Sequence, residues 1–82
     1  MINTCIRAER ITEVNRKFAW SGSTTYLRVK NGLLPPPFSL GGRASAWLSH
    51  ETSAVLAAMA AGQSNEQIKC LVKKLIDERQ PL

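Results

Sequence analysis

The spacing of apolar residues predicts a short helix near the start of the chain. Val14 and Phe18 lie four residues apart and therefore fall on one face of a helix. Just before them, the hydroxyl of Thr12 can accept a hydrogen bond from a free backbone N–H of the first turn. We expect a helix over 12–18, with polar and basic residues such as Arg16 on its outer side.

A second short helix is predicted over 23–31, after a turn at Gly22. Ser21 or Ser23 can cap its start by accepting a hydrogen bond from the backbone of the first turn. Gly32 follows the last helical residue, and glycine there suits the left-handed conformation that closes many helices. The second helix is therefore bounded by a serine that can cap its start and a glycine that can close its end.

The residues of this second helix divide between two faces when they are placed 100° apart. Thr25, Tyr26 and Val29 share one arc. The remaining surface carries small hydroxyls, an amide and two bases, on Ser23, Thr24, Leu27, Arg28, Lys30 and Asn31. Two short helices joined by a turn, the second with such a surface, favour a helix-turn-helix over 12–31. The alternative is a solvated helix in a small bundle.

A small β-hairpin is predicted over 38–47, after three consecutive prolines that exclude a helix. Two successive glycines supply a tight turn, which places Arg43 at or beside its tip. Phe38, Leu40 and Trp47 provide the apolar side chains that such a hairpin needs for packing. We interpret the hairpin as a wing; the alternative is a loop with a solvated Arg43.

Two longer helices are predicted in the second half of the chain, over 49–61 and 64–79. Ser49 is a natural N-cap for the first, and Ser64 with Gln67 forms a capping box at the start of the second. The second has the clearest apolar periodicity in the chain, on Ile68, Leu71, Val72, Leu75 and Ile76. This face must be buried, either in the core of the domain or against a second copy of the chain.

Composition and charge indicate the size of the domain and the kind of partner that it binds. The 82 residues are 44% hydrophobic, which allows one small domain over 1–82 with a mainly α, winged helix-turn-helix fold. The net charge is +5, and the first 43 residues hold seven bases against two acids, which is the whole surplus. Such an uneven surplus favours a polyanion, above all double-stranded DNA, as the partner.

Other chemistry is poorly represented. No paired carboxylates, nucleophile–base set, phosphate loop or metal cluster can be assembled, so we expect no enzyme, no cofactor and no metal. Cys5 and Cys70 are expected to be reduced thiols, and His50 to be a solvated or capping residue. With no apolar run for a signal peptide or a membrane span, we expect a cytoplasmic, nucleoid-associated protein.

Several blocks of the sequence resemble the AlpA-type prophage regulatory proteins. These blocks are RITEV at 10–14, SGSTTY at 21–26, VKNG at 29–32, and PPPFSLGGRA at 35–44 with the tryptophan at 47. The resemblance covers about residues 10–61 and implies the winged helix-turn-helix fold of the MerR and excisionase domains. Helix 64–79 is similar to a C-terminal extension found in part of that family. Leu27 stands where the family usually has arginine, and Arg28 where a large apolar residue is common, so the sequence leaves Leu27 and Arg28 as alternatives for the residue that faces the groove.

The resemblance implies a sequence-specific DNA-binding transcriptional regulator of a prophage or another mobile element. The second helix would enter the major groove, where Arg28 can offer a bidentate donor pair to guanine and Arg43 can reach backbone or the minor groove. The full set of expected DNA contacts is Arg16, Lys17, Ser21, Ser23, Thr24, Tyr26, Leu27, Arg28, Lys30 and Arg43. We expect a homodimer on DNA, with an integrase or RNA polymerase as a further partner.

Two other functions fit the same sequence. An excisionase-like recombination directionality factor would keep the fold and bend DNA for an integrase. A protein-interaction module would instead use the amphipathic helix 64–79 to dock a partner, with the basic half incidental.

Overall fold

The computed structural model describes residues 6–79, which form four helices and a three-stranded antiparallel sheet. In chain order the elements are β1 (Ala8–Glu9), α1 (Ile11–Phe18), α2 (Gly22–Lys30), β2 (Phe38–Gly41), β3 (Ala44–Leu48), α3 (Ser49–Ala60) and α4 (Asn65–Asp77). The predicted mainly α fold is confirmed, with a helix-turn-helix, a hairpin and two further helices in the expected order.

The sheet contains one strand that the sequence did not predict. The strand order is β1-β3-β2, so β3 lies in the centre and β1 pairs along its other edge. Ala8 lies opposite Leu48 and Glu9 opposite Trp47. Two residues are too few to show an alternating pattern, which is why β1 escaped prediction. Its pairing fixes the start of the described chain against the hairpin.

The hairpin itself is formed by β2 and β3, with Gly42 and Arg43 in the turn between them. Gly42 has a φ of 57°, a conformation that glycine adopts without steric cost. The predicted packing of Leu40 is wrong, since its side chain is 48% exposed. The register shifts between Ser39 and Gly41, and such a bulge leaves the extra residue out of the ladder and bends the strand.

Two predicted N-caps are wrong. Thr12 lies inside α1, which begins one residue earlier, and the Arg10 N–H at the start donates to Glu13 Oε1 at 2.9 Å. Ser49 is the first residue of α3, and its hydroxyl accepts a hydrogen bond from the Arg7 backbone N–H at 2.8 Å. At α1 the residue before the helix is Arg10, which has extended backbone angles, so Thr12 is already helical. At α3, pairing of β1 with β3 brings the Arg7 N–H to the Ser49 hydroxyl.

The other helix ends follow the sequence. Ser21 caps α2 by accepting from the Thr24 N–H, and Gly32 closes it with a φ of 77°. At the start of α4, the Gln67 N–H donates to Ser64 Oγ at 3.2 Å, and the Ser64 N–H donates to Gln67 Oε1 at 2.8 Å. The capping box is therefore confirmed.

The apolar face of α4 packs into the core of this chain. Ile68, Val72 and Leu75 are buried there, and Leu71 and Ile76 pack against them partly exposed. We call residues 33–37, which end in three prolines, the proline segment. The remaining buried apolar side chains of the core come from α1, the proline segment, β3 and α3, at Val14, Leu33, Leu34, Trp47, Val55 and Ala58. Of the two alternatives for this face, the structure selects the core. Leu71 and Ile76 keep part of this face accessible to solvent.

An ion pair that the sequence did not indicate joins the end of the described chain to α3. Glu51 lies in the first turn of α3, where its charge suits the helix dipole. In the structure it is 1% exposed, and Arg79 Nε donates to its Oε2 at 2.8 Å. Arg79 Nη2 bonds the other carboxylate oxygen and also donates to the Pro36 carbonyl at 2.9 Å. One guanidinium thus ties together α3, the segment after α4 and the proline segment.

The turn after α1 holds an alanine in a left-handed conformation. Ala19 has φ 60° and ψ 38° and, among residues 6–79, is the non-glycine residue with positive φ. The Trp20 N–H donates to the Asn15 carbonyl at 3.0 Å across this turn. An L-residue with a Cβ costs roughly 1–2 kcal/mol in this conformation.

Replacing Ala19 with glycine is therefore expected to raise the free energy of unfolding by about 0.5–1 kcal/mol, because relief of the Cβ clash outweighs the greater freedom of the unfolded chain. Urea unfolding followed by tryptophan fluorescence measures the change. The matched control is Ala57→Gly, at an exposed position inside α3, where the same substitution should lower stability by about 0.5–1 kcal/mol. A loss of stability in both variants would contradict strain at Ala19.

Candidate nucleic-acid interface

The angle between α1 and α2 is fixed by a cluster around Trp20. The Trp20 ring stacks on Phe18, with centroids 4.5 Å apart and planes 10° from parallel. Its Nε1–H donates to Thr25 Oγ1 at 2.7 Å, and the Thr25 hydroxyl donates to Asn15 Oδ1 at 2.5 Å. Thr25 is fully buried, so its hydroxyl at the centre of these two hydrogen bonds is shielded from water. A Cβ added at Gly22 would lie 3.3 Å from Asn15 Nδ2, which shows how closely α2 approaches α1.

One side of α2 is left exposed by this packing. We call it the α2 outer face; its exposed residues follow helical spacing, at Ser23, Tyr26, Leu27 and Lys30. Tyr26 is 54% exposed and Leu27 is 55% exposed. The whole helix contains two bases and no aspartate or glutamate. The α2 outer face is thus accessible, largely polar and free of negative charge.

Tyr26 and Arg28 each lie beside a tryptophan ring. Tyr26 shares an arc of the helix with the buried Thr25, yet its ring is exposed and rests beside the Trp47 ring of β3, with centroids 6.3 Å apart. The guanidinium of Arg28 lies over Trp20, 5.1 Å from the ring centroid, in a cation–π contact. Leu27, rather than Arg28, therefore lies on the α2 outer face.

The Lys17 ammonium, for which the sequence predicted a phosphate contact, donates hydrogen bonds to acceptors of its own chain. Its side chain is 23% exposed, and its ammonium donates to Glu9 Oε2 at 3.0 Å and to Thr52 Oγ1 at 2.9 Å. Further bonds reach Ser53 Oγ at 2.7 Å and the Ser49 carbonyl at 3.3 Å. Thr52 in turn donates to Glu9 Oε1 at 2.7 Å. The charge of Lys17 is matched by Glu9, which the unpredicted strand β1 brings to it.

The remaining predicted contact residues lie in three places. Arg16 is exposed on α1, and Arg43 is exposed in the turn of the hairpin. Ser21 and Thr24 lie in the first turn of α2 or just before it, where Ser21 Oγ is 3.1 Å from Thr24 Oγ1. Ser21 Oγ is also 3.2 Å from the hydroxyl of Ser23, so the three hydroxyls form one group at the start of the helix.

The histidine and cysteines stand apart from this surface. His50 is half-buried in α3, and its Nδ1 is buried without a hydrogen-bond partner within 6–79, unlike the solvated or capping residue that was expected. Cys70 is exposed and free, while Cys5 lies outside the described residues. No group of three metal-ligating side chains occurs in the described part of the chain. None of the helices between residues 6 and 79 is both long and apolar enough to cross a membrane.

Comparison with known proteins identifies relatives of the segment that carries these features. The profile of a family described as "Prophage CP4-57 regulatory protein (AlpA)" matches residues 7–54, which is more than half of the chain. "Uncharacterized protein ORF88" of Enterobacteria phage P4 is 41% identical over 54 residues, which cover 66% of this chain and 61% of that protein. No solved structure matches significantly. The family match includes the two helices of the helix-turn-helix and the hairpin, and it ends before α4.

Proposed function

Because the chain belongs to the AlpA family of prophage regulatory proteins, we propose that it regulates transcription by sequence-specific binding to double-stranded DNA. The observation that carries this proposal is the α2 outer face. It is exposed, rich in hydrogen-bonding groups and free of carboxylates, and it belongs to the second helix of a helix-turn-helix. In proteins of this architecture the second helix enters the major groove.

In the proposed complex the α2 outer face lies in the major groove. Ser23 and Thr24, at the helix start, contact base edges or phosphate oxygens, and Lys30 binds a phosphate near the helix end. Arg28 keeps its place on Trp20 and meets the DNA backbone at the edge of the groove.

Side chains outside α2 complete the contact with the backbone. Arg43 extends from the wing to phosphate or to the minor groove, which attracts arginine where it is narrow. Arg16 on α1 and the hydroxyl of Tyr26 bind further phosphates. Two copies of the chain share one site, because a single module of this size reads only a few base pairs. Since the apolar face of α4 is buried in the core, the two copies meet through another surface or through the DNA alone.

We expect Lys30→Ala and Arg43→Ala each to weaken DNA binding by about 1–3 kcal/mol. Each should also lower the slope of log affinity against log salt concentration by about one, because one fewer counterion is released. The duplex probe comes from selection of a random library with the wild-type protein, and fluorescence anisotropy over a salt series gives the affinities. Lys73→Ala, on the exposed side of α4, is the matched control and should bind like the wild type.

Three outcomes would count against the proposal. Wild-type protein that shows no salt-dependent binding would exclude DNA as the partner. An equal loss in Lys73→Ala would mean that the effect is general electrostatics rather than a contact surface. Strong bending of the selected site in a circular-permutation gel shift, with stimulated excision and no promoter response, would replace the transcriptional role with that of an excisionase-like factor.

A further inference from the structure

The α2 outer face has one large apolar side chain at its centre. Leu27 is 55% exposed, with Ser23 one turn before it and Lys30 one turn after it. A single exposed leucine on an ordinary surface needs no explanation. Leu27 differs because it lies in the middle of the face that meets DNA in the proposed function.

The major groove offers such a side chain one kind of partner. Base edges in the groove present hydrogen-bond donors and acceptors, and the one apolar group among them is the C5-methyl of thymine. Against the donor and acceptor atoms of another base pair, Leu27 would displace water and leave polar atoms without partners. Against a thymine methyl, apolar surface of both the leucine side chain and the methyl group is removed from water.

We propose that Leu27 packs against the C5-methyl of a thymine and so selects a T·A pair at one position of the site. This inference rests on the proposed function and names the base that one residue of it reads. The neighbouring hydroxyls and ammonium supply contacts to polar edges and phosphates, and the leucine supplies a contact that none of them can make.

Leu27 is held firmly enough to read a single methyl group. It lies in the middle of α2, whose end is closed by the Leu33 N–H donating to the Arg28 carbonyl at 2.9 Å. Next to it, Arg28 is anchored over Trp20, 5.1 Å from the ring centroid, and Thr25 is anchored by its buried hydrogen bonds. A contact residue on a rigid helix is placed more reproducibly than one on a loop.

The chemistry around Leu27 favours DNA over a protein partner. Protein docking sites are contiguous apolar patches, whereas Leu27 is bracketed along α2 by a hydroxyl and an ammonium group. The other exposed large aliphatic residues lie on other parts of the chain, Ile6 before β1 and Leu40 on β2. The Tyr26 ring rests beside Trp47 and carries a hydroxyl, which is a polar group able to donate and accept hydrogen bonds. Together these features fit a polyanion with a single apolar group.

The test removes the methyl group and nothing else. In the duplex selected by the wild-type protein, each thymine is replaced in turn by deoxyuridine, which pairs identically but lacks the methyl. At one position in each half-site, wild-type affinity measured by anisotropy at fixed salt should fall about fourfold, the factor that corresponds to burial of one methylene-sized group. Leu27→Ala should bind the thymine and deoxyuridine duplexes equally at that position.

A second variant tests the same contact. Leu27→Gln keeps the net charge and introduces an amide that can pair with adenine N6 and N7. Because the adenine of the same T·A pair can accept this amide, the base preference at that position can persist, but its dependence on the thymine methyl should disappear and the other positions should stay unchanged. An undiminished loss of affinity for the deoxyuridine duplex in Leu27→Gln would overturn the assignment.

The failures of the two proposals can be told apart. Specific binding by the wild type with no loss for deoxyuridine at any position would overturn the role of Leu27 and leave the proposed function standing. If the wild type selects no sequence at all, the proposed function fails and this inference fails with it.

Discussion

Arg79→Ala is expected to lower the free energy of unfolding by about 3–5 kcal/mol, the usual loss when one partner of a buried ion pair is removed. Glu51 is 1% exposed and depends on the Arg79 guanidinium for both of its oxygens. Without Arg79, a carboxylate remains in the protein interior with no opposite charge beside it. The Pro36 carbonyl also loses its donor.

Urea unfolding monitored by tryptophan fluorescence gives the size of this loss. The double variant Glu51→Leu with Arg79→Ala should be more stable than Arg79→Ala alone, because it buries no charge. Arg43→Ala removes an exposed arginine and should change stability by no more than about 0.5 kcal/mol. If Arg79→Ala unfolds like this control, the pair contributes nothing to stability and the argument from burial is wrong.

Lys17→Met is expected to lower the free energy of unfolding by about 2–3 kcal/mol and to leave the DNA affinity of the folded protein unchanged. The Glu9 side chain is 14% exposed, and its Oε2 lies 3.0 Å from the Lys17 ammonium. Removing that ammonium leaves a mostly buried carboxylate without its cation and breaks the junction between β1, α1 and α3. Methionine keeps the length of the aliphatic stem, so the change tests the charge.

The matched variant is Lys30→Met, on the α2 outer face. It should show the reverse pattern, with stability within about 0.5 kcal/mol of the wild type and weaker DNA binding. For both variants, urea unfolding curves measure stability. Fluorescence anisotropy, in buffer without urea and at a fixed salt concentration, measures DNA affinity. Weaker DNA binding by Lys17→Met with no loss of stability would restore the phosphate contact that the sequence alone suggested for Lys17.

The roles expected for Arg79 and Lys17 could not be predicted from the sequence, because sequence patterns indicate interactions between residues that are close together in the chain. Gly32 closes α2, the capping box of Ser64 and Gln67 opens α4, and Trp47 anchors the hairpin, all as predicted. Each of these features depends on residues within a few positions of one another or on one side chain's need for burial. Helix order, the hairpin and the mainly α fold could therefore be predicted from the order of the residues.

The candidate surface was predictable only in part. The residues of α2 identified it as a basic helix without carboxylates, but helical spacing left Leu27 and Arg28 as alternatives for the residue that faces the groove. Trp20 decides between them, because its ring holds the Arg28 guanidinium and leaves Leu27 on the exposed side. A residue's position on a helix follows from its number, whereas the direction of a long side chain depends on what packs beside it.

The order of residues was enough to predict which segments form helices, where most of them end, and that one face of the last helix must be buried. Packing of the helices and strands determines what each buried group meets: the core rather than a second copy for the α4 face, Glu9 for Lys17, and Glu51 for Arg79. Local structure depends on interactions between near neighbours in the chain, which a sequence displays directly. Pairing across 8 residues for Lys17 and 28 for Arg79 depends on how distant elements come together, and no local pattern records that.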